Sequence, residues 1–74
     1  MTTLYLEMRD FEVDRKDEFV AEAVKDWRDG YGAGTCTAED WASWSSDPKE
    51  HCDGWTLFTI TLDDTITVEE VKND

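Results

Sequence analysis

The chain has 74 residues, 19 of them Asp or Glu against seven Lys or Arg, and a formal net charge of −12. A body this small has room for one domain and one modest core, which excludes a multi-step enzyme built around a deep cofactor pocket. Charge of this sign attracts basic protein surfaces and repels nucleic acid and anionic membrane, so neither of the latter is an expected direct partner.

A mean hydropathy of −0.66 would favour disorder in a chain poor in aromatic residues, but four Trp, three Phe and two Tyr supply large apolar areas. A folded domain over residues 1–74 is therefore expected. No run of about 20 apolar residues is available to cross a bilayer. The start lacks the basic and apolar runs of a secretion signal, so the cytoplasm is the expected compartment. There Cys36 and Cys52 would remain reduced thiols.

Leu4, Leu6 and Met8 alternate with Tyr5 and Glu7, which predicts a strand with one buried face. Phe11 and Val13 fall on the opposite parity, so a bulge or strand end is expected near Arg9–Asp10. Asp14 is a candidate N-cap, with Asp17 and Glu18 in the following turn. Phe19, Val20, Ala23, Val24 and Trp27 then recur at helical spacing, predicting an amphipathic helix that Gly30 ends. Gly30-Tyr31-Gly32-Ala33-Gly34 reads as a flexible connection. It follows a helix and lacks a Lys-Ser/Thr pair, so it does not fit a phosphate-cradling loop.

Thr37 followed by Glu39 and Asp40 predicts the capped start of a second, shorter helix carrying Trp41 and Trp44 on one side. Trp55 to Leu62 is rich in aromatic and branched residues and predicts a strand whose Phe58, Ile60 and Leu62 share a face. After a turn at Asp63-Asp64, Thr65 to Val71 returns as a hairpin partner with Ile66 and Val68 inward; a short terminal helix capped at Thr67 is the rival reading. The expected fold is thus α+β, in the order β-α-α-β-β, with a three-stranded antiparallel sheet and two helices on one face.

Glu18, Glu22, Asp26 and Asp29 are spaced by four, four and three residues, placing four carboxylates on one helix stripe. Like charges at this spacing cost helix stability, so the stripe calls for a functional or a solvation reason. Four helical residues rise about 6 Å, comparable with the spacing of phosphates along a nucleic-acid strand. A solvated helix face relieved by Lys25 and Arg28 is the plainer explanation of the stripe, and high-salt adaptation that of the acidity as a whole. The four Trp fit neither. Glu39 and Asp40 extend the candidate surface, and Trp41 or Trp44 would supply an apolar anchor if not needed in the core.

Cys36, His51 and Cys52 lack the paired spacings of a structural zinc site, no calcium loop is present, and nothing marks a nucleophile with an oxyanion hole. No cofactor, metal or catalytic residue is expected. In charge, size and style the chain is similar to DNA-mimicking inhibitors of phages and mobile elements, which act on restriction or CRISPR enzymes; no motif carries the similarity to particular residues. What that implies is an inhibitor, monomeric or homodimeric, that presents carboxylates to the basic groove of a nucleic-acid-binding protein. The rival expectation is an accessory interaction module that docks through exposed Trp while its acids merely solubilise it.

Overall fold

β1 (Thr2–Arg9) runs through the middle of the molecule, and its alternation buries Leu4, Leu6 and Met8 completely. In the computed structural model, which describes residues 1–71, a 3-10 helix (Asp10–Arg15) follows directly and leads into α1 (Lys16–Arg28). Three short strands and one long strand complete the described residues: β2 (Ala33–Thr35), β3 (Ala42–Ser45), β4 (Trp55–Leu62) and β5 (Ile66–Glu70). They form one antiparallel sheet in the order β2-β3-β1-β4-β5. No helix among the described residues is long and apolar enough to cross a membrane.

The expected pairing of the first strand with Trp55–Leu62 is present over its full length, from Thr2↔Leu62 to Arg9↔Trp55. The expected architecture is not. Among the described residues, five strands and one α-helix replace three strands and two helices. The segment read as a second helix is a turn followed by β3, and the supposed flexible connection runs into β2, whose first two residues it contains. Thr37 does accept a bond from the backbone N–H of Trp41 (2.8 Å), as a cap would, but that turn closes a hairpin instead of opening a helix. The spacing of Trp41 and Trp44 suited a helix; the register that matters is period two, with Ala42 and Trp44 inward and Ser43 and Ser45 outward. β3 is required there because β1 would otherwise leave its backbone donors and acceptors unpaired along one side.

Smaller departures follow the same logic. Asp14 lies within the 3-10 helix, and α1 begins two residues later at Lys16 with no side-chain cap. β1 ends at Arg9 as expected, but Phe11 points outward at 64% exposure. Trp27 is half-buried at the margin of the core, Val68 packs against it, and Ile66 sits exposed at the rim. Thr67–Glu70, the start of the rival helix, lies in strand β5, which removes the helical alternative there.

β2 runs parallel to β1, with β3 inserted antiparallel between them. Joining parallel strands demands a crossover, and α1 provides it, packing its Phe19, Ala23 and Val24 on one face of the sheet. At its end, Gly30 at φ 103° sends its N–H to Trp27 O (3.0 Å), while Tyr31 N–H reaches Asp26 O (3.1 Å). This left-handed closure satisfies the last carbonyls and turns the chain toward β2.

Gly34 pairs with Trp44 in register, and a Cβ on Gly34 would lie 2.9 Å from Trp44 Nε1 and 3.1 Å from Asp26 Oδ2. Trp44 is 1% exposed and has no room to retreat. Gly34→Ala should therefore destabilise the fold by about 1–3 kcal/mol through overpacking. Chemical denaturation checks this, and an unchanged midpoint would mean that β2 shifts freely.

Candidate functional site

The four carboxylates of the helix stripe do not share one environment. Glu18 is exposed and accepts a 2.9 Å bond from Arg15 Nε, while the same guanidinium bonds Glu12 (3.0 Å), whose residue is buried beneath it. The Glu18 hydrogen bond is the first cause of the upward shift of the Arg15 pKa. Glu22 is exposed on the middle of α1. Asp29 lies just past the last helical residue, with Lys25 Nζ 3.6 Å away.

Asp26 differs from these. It is half-buried and accepts a bond from Trp44 Nε1 at 3.3 Å, across the junction of helix and sheet. A buried indole N–H needs an acceptor, and this carboxylate is the one provided. The stripe thus retains Glu18, Glu22 and Asp29 as outward charges, with Asp26 assigned to structure. Trp44 is likewise withdrawn from the candidate surface, since it is the largest fully buried side chain.

Glu39, Asp40 and Trp41 remain on the surface, in the turn between β2 and β3. Asp40 adopts φ 61°, the left-handed region that Asp tolerates better than most side chains. Trp41 is 37% exposed and meets Phe11 edge to face, with ring centroids 5.0 Å apart and planes at 80°. Sequence reasoning missed Phe11, because its parity marked it only as a possible inward residue near a strand end. Nothing in the linear pattern pairs it with a residue thirty positions away.

The opposite face of the sheet is polar and strapped. Lys49 reaches from the β3–β4 loop to Glu7 Oε1 (3.2 Å), which also accepts from Ser43 Oγ (3.3 Å). Leu57, in register with Glu7, is 3% exposed on this side. At one end of the same face the Arg9 guanidinium lies 4.4 Å above the ring of Trp55.

Cys36 is half-buried, and its thiol is pushed up to about 11, first by burial and then by the charges of Glu22 and Asp26. A thiol so held is protonated at neutral pH and makes a poor nucleophile. Cys52 is exposed and free, and among the described residues no group of three or more His, Cys, Asp or Glu is placed to hold a metal ion. Compared with family models, curated proteins and solved structures, the chain has no match.

Two outcomes follow from this geometry. Asp26→Ala leaves the Trp44 indole without its acceptor and should cost about 1–3 kcal/mol, whereas Asp26→Asn keeps an acceptor and should cost less. Urea titration of both variants separates the hydrogen bond from the charge; equal effects would remove the bond from the account. For the cysteines, iodoacetamide at neutral pH should modify Cys52 first. Cys36 should react appreciably only as pH rises from 9.0 toward 11, where its thiolate forms. Over the same window the unfolded chain loses this proton before the folded one does, so stability falls. Mass spectrometry after timed alkylation reads the order, and rapid labelling of Cys36 at neutral pH in folded protein would contradict it.

Proposed function

We propose that this chain is a small cytoplasmic inhibitor that binds the basic groove of a nucleic-acid-binding protein in place of the nucleic acid. The observation that carries this reading is the use made of the basic side chains. Arg15 is held between Glu12 and Glu18, Lys25 faces Asp29, and Lys49 is seated on Glu7. Arg9 lies over Trp55 and Lys16 stands 5.6 Å from the ring centroid of Phe58. These five cations thus serve local contacts, while exposed carboxylates occur on the 3-10 helix, α1, the β2–β3 turn, the β3–β4 loop and the β4–β5 turn.

Exposed carboxylates on so many elements steer a basic partner from a distance and disfavour acidic competitors. Glu18, Glu22 and Asp29 supply the ordered part of that surface, because helix geometry sets their spacing; Glu39 and Asp40 add a second group on the turn. Binding of this kind calls for no cofactor, metal or catalytic residue.

The test leaves Asp26 in place. Replacing Glu18 and Glu22 by Gln and Asp29 by Asn removes three charges while sparing the Trp44 contact, so folding should be retained. Proteins captured from a lysate on the immobilised chain should include nucleic-acid-binding proteins that added DNA or RNA displaces. For a partner so identified, the association rate should fall about tenfold in the triple variant and lose much of its salt dependence. Capture that persists at high salt and resists nucleic acid would overturn the reading in favour of an accessory module bound by apolar packing.

A further inference from the structure

The exposed pair Phe11–Trp41 is not explained by the fold. The core is complete without it: Trp44, Phe19, Leu4, Leu6, Met8 and Ile60 are the large side chains fully enclosed between sheet and helix. Phe11 and Trp41 lie outside that group, yet their rings are locked together at 5.0 Å. An exposed aromatic pair that the core does not require is a candidate contact surface when polar residues surround it.

The backbone holds this pair in place. Trp41 donates its backbone N–H to Thr37 Oγ1 (2.8 Å), and its carbonyl accepts from Arg9 N–H (2.8 Å), so both backbone polar groups of the residue are tied. Asp40, directly before it, holds the left-handed conformation that closes the turn. Phe11 is fixed from the other side by the 3-10 helix, whose first residue is anchored through Thr56 Oγ1 donating to Asp10 Oδ1 (2.7 Å). A rigid aromatic anchor loses little freedom on binding, which is what a hot spot requires.

Charge decides the occupant. Asp10, Glu39 and Asp40, all exposed, are sequence neighbours of the two rings. A second copy of the chain would bring another −12 to the contact, and nucleic acid or an anionic membrane would be repelled in the same way. A cation flanked by carboxylates and resting on an aromatic face is favoured on both counts. Guanidinium suits the position better than ammonium because it is planar, stacks on rings and is more weakly hydrated. The molecule already contains a guanidinium resting on a tryptophan ring one strand away, where Arg9 covers Trp55.

We infer that the Phe11–Trp41 pair is the apolar anchor of the partner interface and seats an arginine side chain of a basic protein segment. The inference rests on the basic-partner reading and adds to it the side chain recognised and the place where it docks. Charge supplies the approach, and the aromatic pair supplies residence.

Nona-arginine and nona-lysine peptides serve as probes for the full chain, read by calorimetry and by the indole N–H signals of the four Trp in NMR spectra. Nona-arginine should shift the Trp41 indole and leave the buried Trp44 unmoved. Trp41→Leu keeps apolar bulk and the full net charge but removes the aromatic face; it should weaken nona-arginine binding about tenfold and nona-lysine binding less. Trp41→Phe should recover part of the loss. Phe11→Ala, outside the sheet, is the second variant should Trp41→Leu perturb β3, and it should weaken nona-arginine in the same sense. If folded Trp41→Leu and Phe11→Ala bind both peptides as the parent does, with salt-sensitive affinity retained, the anchor is wrong while the basic-partner reading stands. If neither peptide binds the parent in a salt-sensitive way, both fall together.

Discussion

The bond from the Trp44 indole to Asp26 is the contact on which the arrangement of this small domain turns. It links β3 to α1, and Gly34 on β2 leaves the space in which the two side chains meet. Three consecutive elements are registered by that meeting. Trp44 contributes the largest enclosed side chain, and a core this limited cannot lose much apolar area without losing its margin. The indole brings a polar N–H into the interior with it, and a carboxylate from the acid-rich face of the helix satisfies it. One member of the acidic stripe is therefore a structural group, although its spacing alone makes it look identical to the other three.

The helix covers one side of the sheet, so the two faces have different tasks. Toward α1 the strands present Leu4, Leu6, Met8, Phe58 and Ile60, which with Phe19, Ala23 and Val24 make a continuous core. The other side is closed by polar chemistry: Lys49 and Ser43 both reach Glu7, and the pair Lys49–Glu7 is about three-quarters shielded from solvent. An ion pair this shielded is screened less by salt than the exposed pairs on α1. The sheet is thereby held from both sides while most of the acidic surplus stays outward.

That surplus needs a counterweight in an otherwise self-repelling body. Here Arg9, Arg15, Lys16, Lys25 and Lys49 each relieve a local concentration of charge or lie against a ring, as Arg15 does between Glu12 and Glu18 while lying 5.0 Å from the Phe19 ring centroid. The outward field remains strongly negative as a result. Its apolar counterpart is Phe11 with Trp41, the latter tied to the end of β1 by the bond from Arg9 N–H to its carbonyl.

The sequence by itself determined what local periodicity controls. The alternation of Leu4, Leu6 and Met8, the helical spacing from Phe19 to Trp27, the stop at Gly30 and the strand from Trp55 to Leu62 were all legible, because each element's buried face is written in its own repeat. The acidic character was legible for the same reason, as a sum over residues. The tertiary structure alone decided the segment from Ala33 to Ser45. Its short runs of small and polar residues carry a helix cap at Thr37 and Trp at helical spacing, yet β1 has a free side that only another strand can pair, and the ladder prevails over the local signal. Tertiary structure also sorted the two tryptophans, enclosing Trp44 against Asp26 and leaving Trp41 at the surface with Phe11. Those fates depend on which strand lies beneath the helix, and no stretch of sequence contains that information.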